Sequence, residues 1–224
     1  LTGSFVIPKD GEKILTVKGD LAEVGISKAG TQGALLLVDY DGDRTFATEG
    51  TGSSSGTSVK SGSSSDTAVS GVRMFQSFPT FAKVALSTNT LANGERSLLR
   101  FSVTADDSVA GRGIQVYKFT LRFATTTAIL ASPNIFAYTD SGFSIPVSGL
   151  TSDGSMESTA PNMTTEWASS STDVAVYANT STGASTTIQI PDGGTRYFEV
   201  RGTISNSAAG ASISTQLQGD ANFP

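Results

Sequence analysis

The 224 residues contain no cysteine and no histidine. Without cysteine there is no disulfide, no thiolate metal site and no Cys nucleophile. Without histidine there is no Ser/His or Cys/His catalytic pair and no imidazole ligand for zinc or haem. Charge is sparse, at 16% of residues with a net charge of -5. The chain therefore has no basic footprint for neutralising phosphates, and nucleic acid is not an expected partner. No apolar run approaches the roughly 20 residues of a membrane-spanning helix, so no span is expected. No charged-then-apolar leader precedes Leu1; with Leu first, the expectation is a processed N-terminus or a segment cut from something longer. What the chain does have is Ser and Thr, together roughly a quarter of the residues, and 24 Gly. That composition favours β-strands joined by polar turns over helix.

The chain also repeats itself. "IPKDGEKILTVKG", residues 7–19, aligns at constant offset with "IPDGGTRYFEVRG", residues 190–202. Ile7-Pro8 meets Ile190-Pro191, Gly11 meets Gly194, Lys13 meets Arg196, Val17 meets Val200 and Gly19 meets Gly202. After a length difference the match resumes, with Gly33-Ala34 against Gly210-Ala211, Leu36 against Ile213, Tyr40 against Leu217 and Gly42-Asp43 against Gly219-Asp220. A period of about 180 residues is far beyond solenoid or propeller repeats and marks whole modules in tandem. Residues 1–45 are accordingly expected to be the closing strands of one module, and 72–221 a complete second module with the same ending. Between them, 46–71 is Ser/Thr/Gly-rich with almost no apolar side chain to offset the entropy of ordering, and is expected to be a linker.

Within 72–221, Leu99, Phe101 and Val103 alternate with Arg100 and Ser102, and Tyr117, Phe119, Leu121 and Phe123 alternate with Lys118, Thr120 and Arg122. This is the period-2 pattern of strands with one face in the core and the other in water. Further short strands are punctuated by "ANGE", "DSG", "SDGS", "STG" and "PDGG". The expected fold is all-β, an immunoglobulin-like antiparallel β-sandwich.

Candidate chemistry is thin. Asp39, Asp41 and Asp43 in "DYDGD" resemble the start of a calcium-binding loop. No Glu is spaced to finish it, and two of the three carboxylates become Gln216 and Gln218 in the second copy. A solvated strand end is the competing reading. Asp106 with Asp107, Asp140, Asp153 and Asp192 mostly sit in turns, where Asp commonly caps its own backbone. Trp167, the only tryptophan, reads as a core indole. Lys118 and Asn134 are the residue types of an isopeptide crosslink, but alternation places Lys118 on the wet face. Asn162 and Asn179 are sequons, acceptors only where the producing cell has the machinery.

"FPTFAKVAL", "LLRFSVTAD", "VYKFTLRFATTTA" and "STQLQGD", together with "FVIPKDGEKILTVKGDL" and "GALLLVDYDGD", resemble the module of large repetitive cell-surface, S-layer-like β-sandwich proteins of ultrasmall candidate-phyla bacteria. The likeness covers nearly the whole chain. It implies an extracellular, cell-surface location and a structural or adhesive role, and it transfers no catalytic residue. Family members are long, whereas the first module here shows only its last strands. It is therefore expected either to belong to a larger polypeptide or to be completed by another copy. An apolar face of Phe5, Ile7, Ile14, Val17, Leu36 and Val38 needs cover. The expectation is a non-enzymatic protein that self-assembles head to tail or by strand complementation. The alternative is adhesion to cell-wall or surface glycans. No cofactor is expected beyond the calcium alternative.

Overall fold

The structure, a computed structural model, describes residues 6–25, 27–40, 49–60, 70–107, 112–157, 167–168 and 171–219. The described residues form strands and turns with no helix, and all their strand pairs are antiparallel. The chain divides into two compact units, Leu1–Gln76 and Ser77–Pro224.

The first unit is loosely built. Strand β1, Leu35–Leu36, pairs with β4, Val72–Arg73, so that residues 72–76 run with this unit. The pairing continues at Gly33, whose N–H donates to Met74 O at 2.7 Å. In the Ser/Thr/Gly-rich stretch, β2, Glu49–Thr51, and β3, Ser58–Lys60, make a small hairpin closed by a Ser58 Oγ to Glu49 Oε1 hydrogen bond of 2.5 Å.

The second unit holds β5 Ser77–Val84, β6 Gly94–Asp107, β7 Ile114–Val116, β8 Lys118–Thr126, β9 Ile129–Tyr138, β10 Trp167–Ala168, β11 Ser171–Tyr177, β12 Ile188–Ile190, β13 Thr195–Ser205 and β14 Ser212–Leu217. One sheet runs β10-β9-β13-β6-β5, a second runs β11-β8-β14, and β12 pairs with β7. The alternation decides what each strand buries. Phe119, Leu121 and Phe123 of β8 go inward while Lys118 and Arg122 stay exposed, Arg122 forking onto Asp173 of β11 with two bonds of 2.7 Å. Phe101 and Val103 of β6 and Phe198 and Val200 of β13 bury fully or nearly so and join the same cluster. Phe101 stacks on Phe198 at 5.2 Å, and Phe119 from the other sheet meets both edge-on at 5.2 and 4.9 Å. Each such side chain contributes roughly 1.5–3 kcal/mol on leaving water.

Two local expectations change. The face of β6 carrying Arg100 and Ser102 is covered, because the segment after β9 returns along it and sets Phe143 over Arg100. Tyr117 does not continue the buried row of β8. It sits between β7 and β8, half exposed, with its ring 5.5 Å from that of Tyr177.

Candidate functional site

The two copies of the repeated phrase share their turns and differ in their surroundings. Gly11 N–H donates to Pro8 O at 3.1 Å, and Gly194 N–H donates to Pro191 O at 2.8 Å. The third residue of each turn has positive φ, 59° at Asp10 and 62° at Gly193, as a type II turn requires. The second matched turn repeats as well. Gly33 and Gly210 have φ of 80° and 83°, and the Ala34 and Ala211 amides donate to Thr31 O and Ala208 O at 3.2 and 3.0 Å.

Beyond the first turn the copies part. In the second copy the chain becomes β13, paired on one side with β6 and on the other with β9, and Phe198 and Val200 have no exposed surface. In the first copy, residues 13–19 belong to no strand. Ile14 is 86% exposed, Leu15 62% and Val17 78%, although Leu15 and Val17 stand where Phe198 and Val200 do. With Ile7, Leu21, Leu35, Leu37 and Val38 also exposed, this unit presents a long apolar stretch to solvent.

The two larger sheets of the second unit end at β10 and β5 and at β11 and β14 among the described residues. β5 and β14 are terminal strands of their sheets, and a shallow groove of about 490 Å³ runs beside them, lined by Phe81, Lys83, Leu99, Phe101, Thr215 and Leu217. Phe78 and Phe81 are half exposed on β5; Pro79 and Lys83 blunt that edge only in part.

On the covered face of the larger sheet lies an ion network. Glu199 of β13, 2% exposed, accepts from Arg100 Nε and Nη2 on Oε1 at 2.7 and 2.6 Å, and from Arg201 Nε and Nη2 on Oε2 at 2.6 and 2.5 Å. Arg201 also donates to Tyr138 Oη at 2.6 Å and lies 4.4 Å over the Phe136 ring, while Arg100 lies 4.3 Å from the centre of Phe143. Phe143 is itself edge-on to Tyr138 and Tyr197 at 5.7 and 5.9 Å. Burial works to raise the Glu199 pKa, but the hydrogen bonds from its partners and the Arg201 charge outweigh it and hold the carboxyl below the usual range. The buried Ser97 hydroxyl, which makes no hydrogen bond of standard geometry, also favours the charged form. Sequence alone did not reveal this cluster, because its members lie about a hundred residues apart and only strand register brings them together.

Of the carboxylates singled out as calcium ligands, Asp39 is exposed; Asp41 and Asp43 lie outside the described residues. Among the described residues no three or more acidic side chains gather as a metal would require. Asp140 caps its own loop, accepting from the amides of Ile145, Ser144 and Gly142 at 2.7, 3.1 and 3.1 Å, and those bonds, Ile145 foremost, lower its pKa. Asp153 likewise accepts from the Ser155 amide at 3.1 Å. Lys118 is exposed, and the buried Asn134 amide is occupied by Glu157 O and Ile135 N–H. The Trp167 side chain, Phe5 and Asn162 lie outside the described residues. No family model, curated protein or solved structure matches the chain.

Proposed function

We propose that the chain is a structural extracellular protein whose immunoglobulin-like β-sandwich modules self-assemble into a cell-surface layer or filament. The observation that carries this reading is the exposure of Leu15 and Val17 in a phrase whose second copy is the central strand of a five-stranded sheet, with Phe198 and Val200 fully buried. Apolar side chains patterned for burial need a partner, and a second copy offers one at its open β5 and β14 edges. Pairing of one copy's N-terminal stretch with the next copy's edge is heterologous, and a heterologous contact that does not close on itself propagates as a filament or sheet. The surface location rests on the resemblance to S-layer-like proteins, and neither cofactor nor catalytic group enters the reading.

The test is sedimentation velocity across a concentration series, with electron cryo-microscopy of the native material. The expected result is concentration-dependent growth into regular polymers, abolished by Leu15→Asp with Val17→Asp. A wild-type protein that stays monomeric at every concentration would refute it.

A second reading, adhesion to cell-wall or surface glycans, is favoured by the exposed Tyr117–Tyr177 pair with Lys118 Nζ 5.9 Å from the Tyr177 ring. Retention on cell-wall glycan that is lost in Tyr117→Ala/Tyr177→Ala, with assembly intact, would put that reading first.

A further inference from the structure

A chain that carries its own strand twice faces a choice during folding. The slot between β6 and β9 is filled by β13, but residues 7–19 precede both neighbouring strands in the sequence, and β13 follows them by more than fifty residues. During synthesis the earlier copy is therefore available first. Chain entropy does not separate the candidates. Joining Phe101 to either Leu15 or Phe198 closes a loop of about 90 residues, and closure cost changes only slowly with length. The shared turn does not separate them either, because it forms in both copies. Backbone hydrogen bonding is the same for any sequence without proline, and Leu15 and Val17 suit the apolar positions. What remains is the other face of the strand.

On that face the slot is demanding. Register sets Arg100 of β6 opposite position 199, and Phe143 folds over the Arg100 guanidinium. An arginine so covered needs a carboxylate, and Glu199 supplies one that serves Arg100 with one oxygen and Arg201 with the other. The earlier copy would bring Thr16 to position 199 and Lys18 to position 201. Thr16 is uncharged and too short to reach either cation. Lys18 lacks the planar fork that lies over Phe136 while donating to Tyr138. The misplaced copy would thus leave the largely covered Arg100 without its carboxylate, and a cation at position 201 with only the exposed Glu95, which lies 3.8 Å from Arg201 Nη1, a disfavoured arrangement.

We infer that the Arg100–Glu199–Arg201 network is a selectivity device that admits β13 to its slot and rejects residues 7–19, the chain's own earlier copy. Polar groups buried at one position can fix which of several similar pairings forms, because the wrong pairing leaves them unsatisfied. The inference is separate from assembly: it concerns which strand completes this module, and residues 7–19 kept out of the slot stay free for another partner.

The absence of cysteine allows a direct test on the full chain. Tyr197 faces Ser102 across β13 and β6, so Tyr197→Cys with Ser102→Cys reports the native pairing and serves as the positive control. Ile14 would occupy the Tyr197 position if the earlier copy took the slot, so Ile14→Cys with Ser102→Cys reports the wrong pairing. The chain is refolded from denaturant under mild oxidation and the crosslinked fraction is read on a gel and by peptide mapping. With native Thr16 and Lys18, the disulfide between positions 14 and 102 is expected to be at background. Adding Thr16→Glu with Lys18→Arg, both exposed positions whose change leaves the second unit intact, is expected to raise it at least several-fold. Equal crosslinking with and without the added pair, whether high in both or absent in both, would overturn the inference.

Discussion

Glu199→Gln is the perturbation that most directly tests the account of the covered face. Gln keeps the shape of Glu but replaces one acceptor oxygen with a donor NH2. Each oxygen of Glu199 now serves a different arginine. Whichever way the amide turns, one guanidinium gains a donor where it had an acceptor. Breaking a buried ion pair by removing one member costs about 3–5 kcal/mol. Arg100 and Arg201 retain 24% and 28% exposure, so water reaches them and the figure falls to about 2–3 kcal/mol. For a unit of this size that is a melting-point drop of roughly 4–12 °C. The assay is urea unfolding followed by circular dichroism together with calorimetry, and the m-value should not change. Because the folded pKa of Glu199 is depressed, its contribution is complete above the ordinary carboxylate range and is lost as pH falls through the folded value. The gap between wild type and variant should therefore close on acidification. Replacing all three charges together, Arg100→Met with Glu199→Leu and Arg201→Met, should cost less than Glu199→Gln alone, because no buried charge is left unpaired. A loss under about 1 kcal/mol for Glu199→Gln at neutral pH, or a gap that does not close in acid, would refute the reasoning.

Three further outcomes follow from the same geometry. Phe143 has φ of 57°, a left-handed conformation costly for any side chain. Phe143→Gly should therefore be less destabilising than Phe143→Ala by about 1 kcal/mol in urea unfolding, the reverse of the order at an ordinary position. Glu157 runs opposite to Glu199: burial raises its pKa, only partly offset by the Tyr177 amide, so its stabilising contribution is present below the ordinary range and lost as pH rises through the folded value. Glu157→Gln, which keeps an acceptor for that amide, should flatten the loss of stability with rising pH in a pH series of melting curves. Phe198→Ala should cost about 3–5 kcal/mol in unfolding of the second unit, while Leu15→Ala at the matching position should change the stability of the monomer by less than about 0.5 kcal/mol.

The strands of the second unit were legible because each inward row is apolar and each outward row polar, as in Phe119, Leu121 and Phe123 against Lys118 and Arg122. Alternation says which residues oppose the core, but not whether a loop will return over the other face, so Arg100 and Ser102 read as wet. The residue that covers Arg100, Phe143, opens "FSIPV", which reads as a short strand after the "DSG" turn but forms none, and nothing in that run says which face Phe143 will cover. Alternation also overran at Tyr117, where β7 gives way to β8. The hairpin of β2 and β3 escaped notice because a run with so few apolar side chains offers no periodicity, and a turn around Gly52–Gly56 with one Ser58–Glu49 bond is visible only in the fold. The groove was illegible for a different reason. Which strands end a sheet depends on strand order, and nothing local encodes that β5 and β14 are edge strands lying beside one groove.

The repeated phrase separates what a sequence decides locally from what it leaves to its neighbours. The turn at Pro8–Gly11 forms as the turn at Pro191–Gly194 does, because one hydrogen bond and one positive φ are settled within four residues. The strand that should follow has no such autonomy: its hydrogen bonds and apolar contacts are supplied by strands on either side, and β13 exists because β6 and β9 flank it. Residues 13–19 carry the pattern of that strand without the flanks. On the assembly proposed above, such a segment keeps its capacity to pair and would find its partner at another sheet edge. If the chain assembles as proposed, the same pattern that joins module to module makes charges such as Arg100 and Glu199 the means of saying which strand belongs where.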